Sequence, residues 1–259
     1  MLTNKTINNY ISSIPALPQV VKKCSQALED GDMLRAADIA SEDRALVGYL
    51  RDIVNKPIFG FRDEIKDIRQ VFGILGIKRA KQLLYGYYIL LILPKKWEVF
   101  DFNSAKFQEF QARIIFNWDK IVKFLESDKD DIAVAISIIP ASFVICEMLF
   151  RDINSTVKIL RDTKGLSYET ILHKMTDRTF FDLSSVIAKK WDFSDEIVEL
   201  IARLGDSSEG NIELSYLRLL LAYEMSRAQM VQSGLSELFE ISLDFDEEVV
   251  RDFYELMQN

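Results

Sequence analysis

The side chains that most often carry catalytic or metal chemistry are few and widely separated in this sequence. There is one histidine, His173, and there are two cysteines, Cys24 and Cys146. Most zinc and non-haem iron sites use two or more imidazoles, and thiolate zinc sites and disulfide frameworks need a recognisable cysteine spacing. The chain also has no Gly-x-Ser-x-Gly elbow and no Gly-rich phosphate loop. We therefore expect no catalytic residue, no metal site and no cofactor, and we interpret His173 as a surface or packed histidine.

Three basic residues, Lys78, Arg79 and Lys81, follow Gly76 at the predicted start of an apolar helix. The first turn of a helix presents free N–H groups and the positive end of the helix dipole, and both attract anions. These residues are therefore possible anion contacts. The alternative, which we favour, is that they form the solvated face of a helix whose other side is buried.

A set of five aromatic residues lies in a loop and on the apolar helix that follows it: Phe59, Phe61, Tyr85, Tyr87 and Tyr88. Aromatic side chains are enriched at protein interfaces, so this set is a possible interface for a partner that docks between two helical halves. The alternative is that these residues belong to the core and join those halves.

The composition favours an all-α protein. Only 10 Gly and 5 Pro occur in 259 residues, too few turn formers for a β-sandwich or a β-barrel. Hydrophobic residues make up 49% of the chain, which supplies enough apolar surface to fold. The net charge of −8 opposes binding to nucleic acid. Residues 34–55 have the layout of a helix-turn-helix, but they expose few of the side chains that contact base edges.

Periodic apolar residues predict successive helices arranged as an HD-like bundle of two packed halves. We divide the chain into an N-terminal helical subdomain at 1–100, a second at 101–205 and a C-terminal helical extension at 206–259. Ser167 and Ser194 are predicted helix N-caps.

The apolar stretch 132–150 predicts one helix at the centre of the second half. Its longest apolar run, 132–146, is shorter than the roughly 20 residues that a membrane-spanning helix needs. The first residues lack the basic and apolar regions of a secretory signal. We expect a cytoplasmic protein that does not contact a membrane.

Five short segments, taken in their order along the chain, carry a family resemblance. They are Ile14-Pro15-Ala16-Leu17-Pro18, Ala37-Asp38-Ile39-Ala40-Ser41-Glu42-Asp43-Arg44-Ala45-Leu46, Val54-Asn55 with Phe59-Gly60, Ile74-Leu75-Gly76-Ile77, and Trp191-Asp192-Phe193-Ser194-Asp195-Glu196-Ile197-Val198. Together they resemble the HDOD family, the output domains related to HD metal-dependent phosphohydrolases. The resemblance extends over residues 14–205 and implies an all-helical bundle.

The chain departs from the catalytic relatives of this family at the positions that would hold metal. In catalytic HD proteins, a His-Asp pair on an apolar helix and further histidines bind metals that activate water for phosphate-ester hydrolysis. Within one residue of register, Pro140 and Ala141 stand at the position of that pair. Leu204 and Gly205 stand where family members often have adjacent histidines. The resemblance therefore implies a noncatalytic member.

We predict a noncatalytic output or scaffold protein of bacterial signal transduction that binds other signalling proteins. The resemblance associates such proteins with motility, adhesion or stress responses. The alternative is a sensor that binds a nucleotide or second messenger in the degenerate HD cavity without cleaving it. A cavity filled by Ile138, Ile139 and Phe143 would argue against that alternative, and the sequence leaves open whether any small molecule binds.

Overall fold

Helices account for every regular element in the part of the chain that the structure describes. The computed structural model describes residues 4–127, 130–205, 211–238 and 246–258. The predicted all-α class is confirmed.

Fifteen α-helices follow one another in these ranges. The first five are α1 (Asn4–Ser13), α2 (Gln19–Glu29), α3 (Met33–Ala40), α4 (Arg44–Val54) and α5 (Ile68–Ile92). The next five are α6 (Ser104–Phe124), α7 (Asp130–Ile138), α8 (Ala141–Asp152), α9 (Asn154–Lys164) and α10 (Tyr168–Thr176). The last five are α11 (Phe180–Lys190), α12 (Asp195–Arg203), α13 (Ile212–Met225), α14 (Ala228–Ser233) and α15 (Glu247–Gln258). Short 3-10 helices occur at Pro57–Phe59 and Leu235–Leu238.

Polar side chains fix where several of these helices begin. The hydroxyl of Ser167 accepts a hydrogen bond from the backbone N–H of Thr170, and the hydroxyl of Ser194 accepts one from the N–H of Ile197. Each bond satisfies one of the N–H groups that have no partner in the first turn of a helix. Both predicted N-caps are confirmed.

The prediction of a single helix over 132–150 is wrong. The helix α7 ends at Ile138, and α8 begins at Ala141 with Pro140 as its N-cap. Proline has no N–H to donate and its ring clashes with the preceding turn, so a helix cannot continue through Pro140 undisturbed.

The long helix α5 bends at Gly76. This residue has φ +69° and ψ 176°, a backbone conformation that only glycine adopts without strain. The bend divides α5 into the segment that begins at Ile68 and the apolar segment that carries Tyr85, Tyr87 and Tyr88.

The helices enclose two hydrophobic cores. The first core lies among α2, α3, α4 and α5 and includes Leu28, Leu46 and Phe72. The second core extends from Ile7 in α1 to Phe253 in α15. The termini of the described chain thus pack into the same core.

The helix α6 belongs to both cores. Its residues Ala112 and Ile115 lie in the first core, whereas Phe110 and Trp118 lie in the second. The predicted arrangement of two packed helical halves therefore has α6 as a shared wall.

One described stretch, Ile132–Asp152, is long and apolar enough to cross a membrane by length and composition. In the structure, 89% of its most apolar window is buried inside the protein. The stretch corresponds to α7 and α8, and its packing is that of the centre of a folded core.

Candidate binding cleft

Buried apolar side chains surround Pro140 and Ala141, the position at which the resemblance places the metal-binding pair of catalytic HD proteins. Ala141 is fully buried at the start of α8, directly after Pro140. Ile138, Ile139 and Phe143 are each at most 1% exposed, and none of them lines the clefts described below. No group of three or more His, Cys, Asp or Glu side chains that could hold a metal ion occurs within the described ranges.

Two serines are the polar groups nearest to this position, and they satisfy each other. The hydroxyl oxygens of Ser142 and Ser184 lie 2.7 Å apart, and Ser184 also donates to the carbonyl of Phe180. Either hydroxyl could donate to the other in this pair. The pair is fully buried.

The second expected metal position, Leu204-Gly205, follows the end of α12. Leu204 is buried, and the backbone carbonyl of Leu204 accepts a hydrogen bond from Nε of the buried Arg218 on α13. A second guanidinium nitrogen of Arg218 donates to the carbonyl of Arg203. These bonds satisfy carbonyls that the end of the helix leaves without partners, so the role of Arg218 is structural.

A cleft of about 470 Å³ lies between the two helical halves, and we call it the inter-half cleft. Its volume falls within the roughly 300–1,000 Å³ typical of ligand sites. It is lined by Leu17, Val21, Lys22, Ser25, Gln26, Glu29, Lys81, Tyr85, Val134, Trp191, Asp192, Phe193, Ser194 and Ile197. The walls therefore come from α2 and α5 of the first half and from α7, α12 and the α11–α12 connection of the second.

The floor of the inter-half cleft is aromatic and internally hydrogen-bonded. The hydroxyls of Tyr85 and Ser25 lie 2.9 Å apart, and the ring of Tyr85 packs edge-on against Phe193 with 4.8 Å between ring centroids. Burial raises the pKa of Tyr85, and the hydrogen bond with Ser25 acts in the opposite direction. Tyr85 is therefore neutral near pH 7 and offers a hydroxyl and a ring edge to the cleft.

Charges of both signs stand at the rim of the inter-half cleft. Lys22, Glu29 and Asp192 are exposed, and Nζ of Lys81 lies 3.8 Å from Oε1 of Glu29. Asp192 has φ +60°, in the left-handed region that few residues other than glycine adopt. The chain turns at Trp191 and Asp192, within the connection that lines the cleft.

The structure separates the five aromatic residues that were predicted as an interface. Phe61 is 43% exposed, whereas Phe59 is partly buried against the ring of Phe116. Tyr87 and Tyr88 are core residues, which was the alternative, because this part of α5 is packed on opposite sides, with Tyr87 in the first core and Tyr88 in the second. An interface role stays a prediction for Phe59 and Phe61.

Tyr85 is nearly buried, but it lines the inter-half cleft. It is the one member of the aromatic set that the structure places both in the core and at a groove between the two halves. A contact of Tyr85 with a partner stays a prediction.

The three predicted anion contacts do not converge on one point. Arg79 forms an ion pair with Asp119 of α6, Lys81 faces Glu29 of α2, and Lys78 is exposed. Because two of the three basic groups face carboxylates on different helices, this placement favours the alternative of an ordinary helix surface.

Sequence reasoning missed most of the inter-half cleft. Lys22, Gln26 and Glu29 share one exposed side of α2 at a spacing of four and three residues, which is the pattern that could have identified one wall. Phe193 lies in one of the segments that carry the family resemblance, and nothing in that resemblance indicated a cleft. No sequence pattern brings that segment to α2, because the contact forms through tertiary packing.

Comparison with family models matches the HDOD domain to residues 14–206 of this chain. Comparison with curated proteins found no significant match. The family match covers both halves of the fold and the whole lining of the inter-half cleft.

Solved structures are similar over nearly the whole chain. An HDOD domain protein from Geobacter sulfurreducens has 15% identity and a TM-score of 0.65, with 97% of this chain and 93% of that chain covered. A "Putative phosphohydrolase" from Shewanella amazonensis SB2B has 11% identity and a TM-score of 0.65, with 96% and 93% covered. A "Putative signal transduction protein" from Marinobacter aquaeolei VT8 has 14% identity and a TM-score of 0.63, with 98% and 58% covered. At these identities the likeness shows a shared fold.

Proposed function

Because this chain belongs to the HDOD domain family, we propose that it is a noncatalytic signalling protein that acts by binding another protein. The observation that carries the proposal is the packing around Pro140 and Ala141, where apolar side chains occupy the position of a metal-binding pair. Metal-assisted hydrolysis needs ligands that hold the metal and leave a coordination position open for water. A packed core of this kind supplies neither.

The inter-half cleft is the surface that we assign to the partner. Its aromatic floor at Tyr85 and Phe193 suits an apolar anchoring side chain, and its charged rim at Lys22 and Glu29 suits polar contacts around that anchor. Protein interfaces commonly combine an apolar centre with a polar rim. We propose that a short segment of the partner places one apolar side chain into this cleft.

We infer that the protein acts in signalling from its family and from the name of one structural relative. The Marinobacter aquaeolei protein is named for signal transduction, and its chain is longer than the matched region. We place the action of this protein in the cytoplasm, with motility or stress regulation as the outputs that the resemblance implies.

The sensor alternative would need an open cavity at the degenerate HD position. Ile138, Ile139 and Phe143 fill this region. We therefore put the protein-binding function forward alone.

Site-specific photo-crosslinking tests the proposal. The full chain would carry a photo-crosslinking phenylalanine derivative in place of Gln26, which lines the cleft, or in place of Lys158, which is exposed on α9 away from it. Irradiation in the native cells, followed by mass spectrometry, would identify the captured protein. We expect a discrete product from position 26 that position 158 does not give.

A charge reversal then tests whether the captured protein uses the cleft. Lys22→Glu alters the rim, whereas Lys23→Glu makes the same change at an exposed neighbour outside the lining. With the purified partner, Lys22→Glu should weaken binding and Lys23→Glu should not. Identical products from positions 26 and 158, or equal binding by both charge variants, would contradict the proposal.

A further inference from the structure

A second cleft, of about 310 Å³, lies along α4. Its lining residues are Ser41, Arg44, Val47, Gly48, Arg51 and Ile68. None of them lines the inter-half cleft, so this is a separate surface, and we call it the arginine cleft.

Helix geometry brings the two arginines of this cleft together. Arg44, Gly48 and Arg51 are spaced by four and three residues, so all three lie on one face of α4. Gly48 stands between the arginines without a side chain, and apart from its chain neighbours and the backbone of its own helix, a β-carbon built there would have no heavy atom within 4 Å. The glycine therefore leaves the helix surface between the two arginine positions without a side chain.

Both guanidinium groups lack a partner in the described part of the protein. No hydrogen bond or ion pair joins either of them to another described residue, and Nε of Arg51 is buried without an acceptor. A buried donor without an acceptor is unfavourable, so the Arg51 side chain would gain a hydrogen bond from a ligand oxygen that its guanidinium group can reach.

Two polar side chains next to the arginines, Ser41 and Asp43, are already engaged elsewhere. Oδ1 of Asp43 accepts from the N–H groups of Ala45 and Leu46, and Oδ2 of Asp43 accepts from the hydroxyl of Tyr87. The hydroxyl of Ser41 donates to the carbonyl of Ala37. The arginines are thus the side-chain donors that remain available to a ligand in this cleft.

We propose that the arginine cleft binds the phosphate group of a small ligand. Guanidinium groups present paired N–H donors that match phosphate oxygens, and the cleft is at the lower end of the range for small-molecule sites. The net charge of −8 and the small concave shape disfavour a nucleic-acid backbone as the source of the phosphate. This site lies beyond the proposed protein-binding function, because it uses a different surface.

Titration with defined phosphates tests the site. The full chain would be titrated with inorganic phosphate and, separately, with adenosine 5′-monophosphate, while the side-chain Nε–H signal of Arg51 is followed by NMR and the dissociation constant by calorimetry. We expect saturable binding that shifts this signal. A tighter constant for the monophosphate would identify an ester as the ligand class, and a tighter constant for inorganic phosphate would identify the free ion.

Three variants separate the site from general electrostatics. Arg51→Gln removes one guanidinium, and Gly48→Leu keeps both arginines but fills the space between them. Each should weaken binding about tenfold or more, because charge-assisted hydrogen bonds are lost or blocked. Arg62→Gln makes the same charge change in an exposed loop and should leave binding unchanged.

The proposal is overturned if neither phosphate binds saturably, or if Arg51→Gln and Arg62→Gln weaken binding equally. It is also overturned if a DNA duplex binds at the arginines while both small phosphates fail to bind. Because Gly48→Leu leaves the arginines and the net charge in place, its result does not depend on whether Arg51→Gln folds normally.

Discussion

Gly86 allows α5 and α6 to approach so closely that a side chain of one lies where a β-carbon of the other would stand. A β-carbon at Gly86 would lie 1.4 Å from Nε2 of Gln111, which is far closer than two heavy atoms can pack. The position of Gln111 matters because its Oε1 accepts a hydrogen bond of 2.5 Å from the buried hydroxyl of Tyr49. One glycine therefore protects a buried polar contact between α4 and α6.

Replacement of Gly86 by alanine should destabilise the protein. The added methyl group must displace Gln111 and break its hydrogen bond to Tyr49, at a cost of about 1–3 kcal/mol. The free energy of unfolding in urea measures this loss. Gly73→Ala is the matched control, because a β-carbon at Gly73 in the same helix meets no atom within 4 Å. This control should be neutral or stabilise by up to about 1 kcal/mol, and an equal loss in both variants would contradict the packing argument.

At the scale of the element, the connection between α5 and α6 is held by a buried carboxylate. Glu147 of α8 is fully buried, and it accepts hydrogen bonds from the backbone N–H groups of Glu98, Val99 and Phe100. Three consecutive N–H groups that point at one carboxylate fix the path of the chain. The predicted boundary between the first two subdomains, at residue 100, lies in this connection, and the structure shows that the connection is anchored to the second core.

Exchange of Glu147 for glutamine should loosen this anchor. The amide keeps the shape of the side chain, but it turns N–H donors toward backbone N–H groups and leaves at least one of them unsatisfied. We expect a loss of about 1–3 kcal/mol in the free energy of unfolding. Glu98→Gln, the same exchange at an exposed neighbouring position, should change stability by less than about 0.5 kcal/mol. Equal effects in the two variants would contradict a specific anchor.

Helix starts could be predicted from the sequence where a local signal exists. Ser167 and Ser194 act within three residues of themselves, so their capping role is readable without the fold. The division at Pro140 was missed because the apolar residues on both sides continue the same pattern. The hydrogen bonds between Glu147 and the connection from α5 to α6 could not be predicted, because they join positions 47 to 49 residues apart.

At the scale of the whole molecule, two consecutive tyrosines mark the junction of the cores. Tyr87 lies in the first core and Tyr88 in the second. The hydroxyl of Tyr87 donates to Asp43, and that of Tyr88 donates to the carbonyl of Pro15. Burial raises the pKa of each tyrosine to about 12, and the negative charge of Asp43 adds to the effect on Tyr87.

Stability should therefore fall as the pH rises from 10 to about 12. Below pH 10 these tyrosines are protonated in both states, whereas between pH 10 and 12 the unfolded chain releases protons that the folded protein retains. Each tyrosine can contribute up to about 1.4 kcal/mol per pH unit to this loss. Urea unfolding at several alkaline pH values measures the slope. Tyr87→Phe should reduce it, whereas Tyr254→Phe, at a residue 49% exposed, should not.

The packed HD position predicts that the protein is inactive as a phosphodiesterase. With manganese or magnesium and bis-p-nitrophenyl phosphate, release of nitrophenol should not exceed the protein-free rate. A catalytically active HD phosphohydrolase assayed beside it would establish that the conditions support turnover. Metal-dependent release that copurifies with this protein would contradict the noncatalytic function.

The sequence was sufficient for the fold class and the family, because composition, helical periodicity and ordered short segments each carry information locally. It was insufficient for the inter-half cleft. Ser25 and Tyr85 are 60 residues apart, and Phe193 reaches Tyr85 from the other half of the fold. Only the packing of the two halves brings such positions together, so the cleft appears first in three dimensions.

The position of α7 and α8 in the chain, before the helices that cover them, has a consequence for synthesis on the ribosome. The segment Ile132–Asp152 leaves the ribosome before α11 and α12, which later pack against it. During that interval the nascent chain displays a stretch with the length and apolarity of a membrane-spanning segment. We expect chaperones and the membrane-insertion machinery to compete for it until synthesis of α11 and α12 allows the core to close.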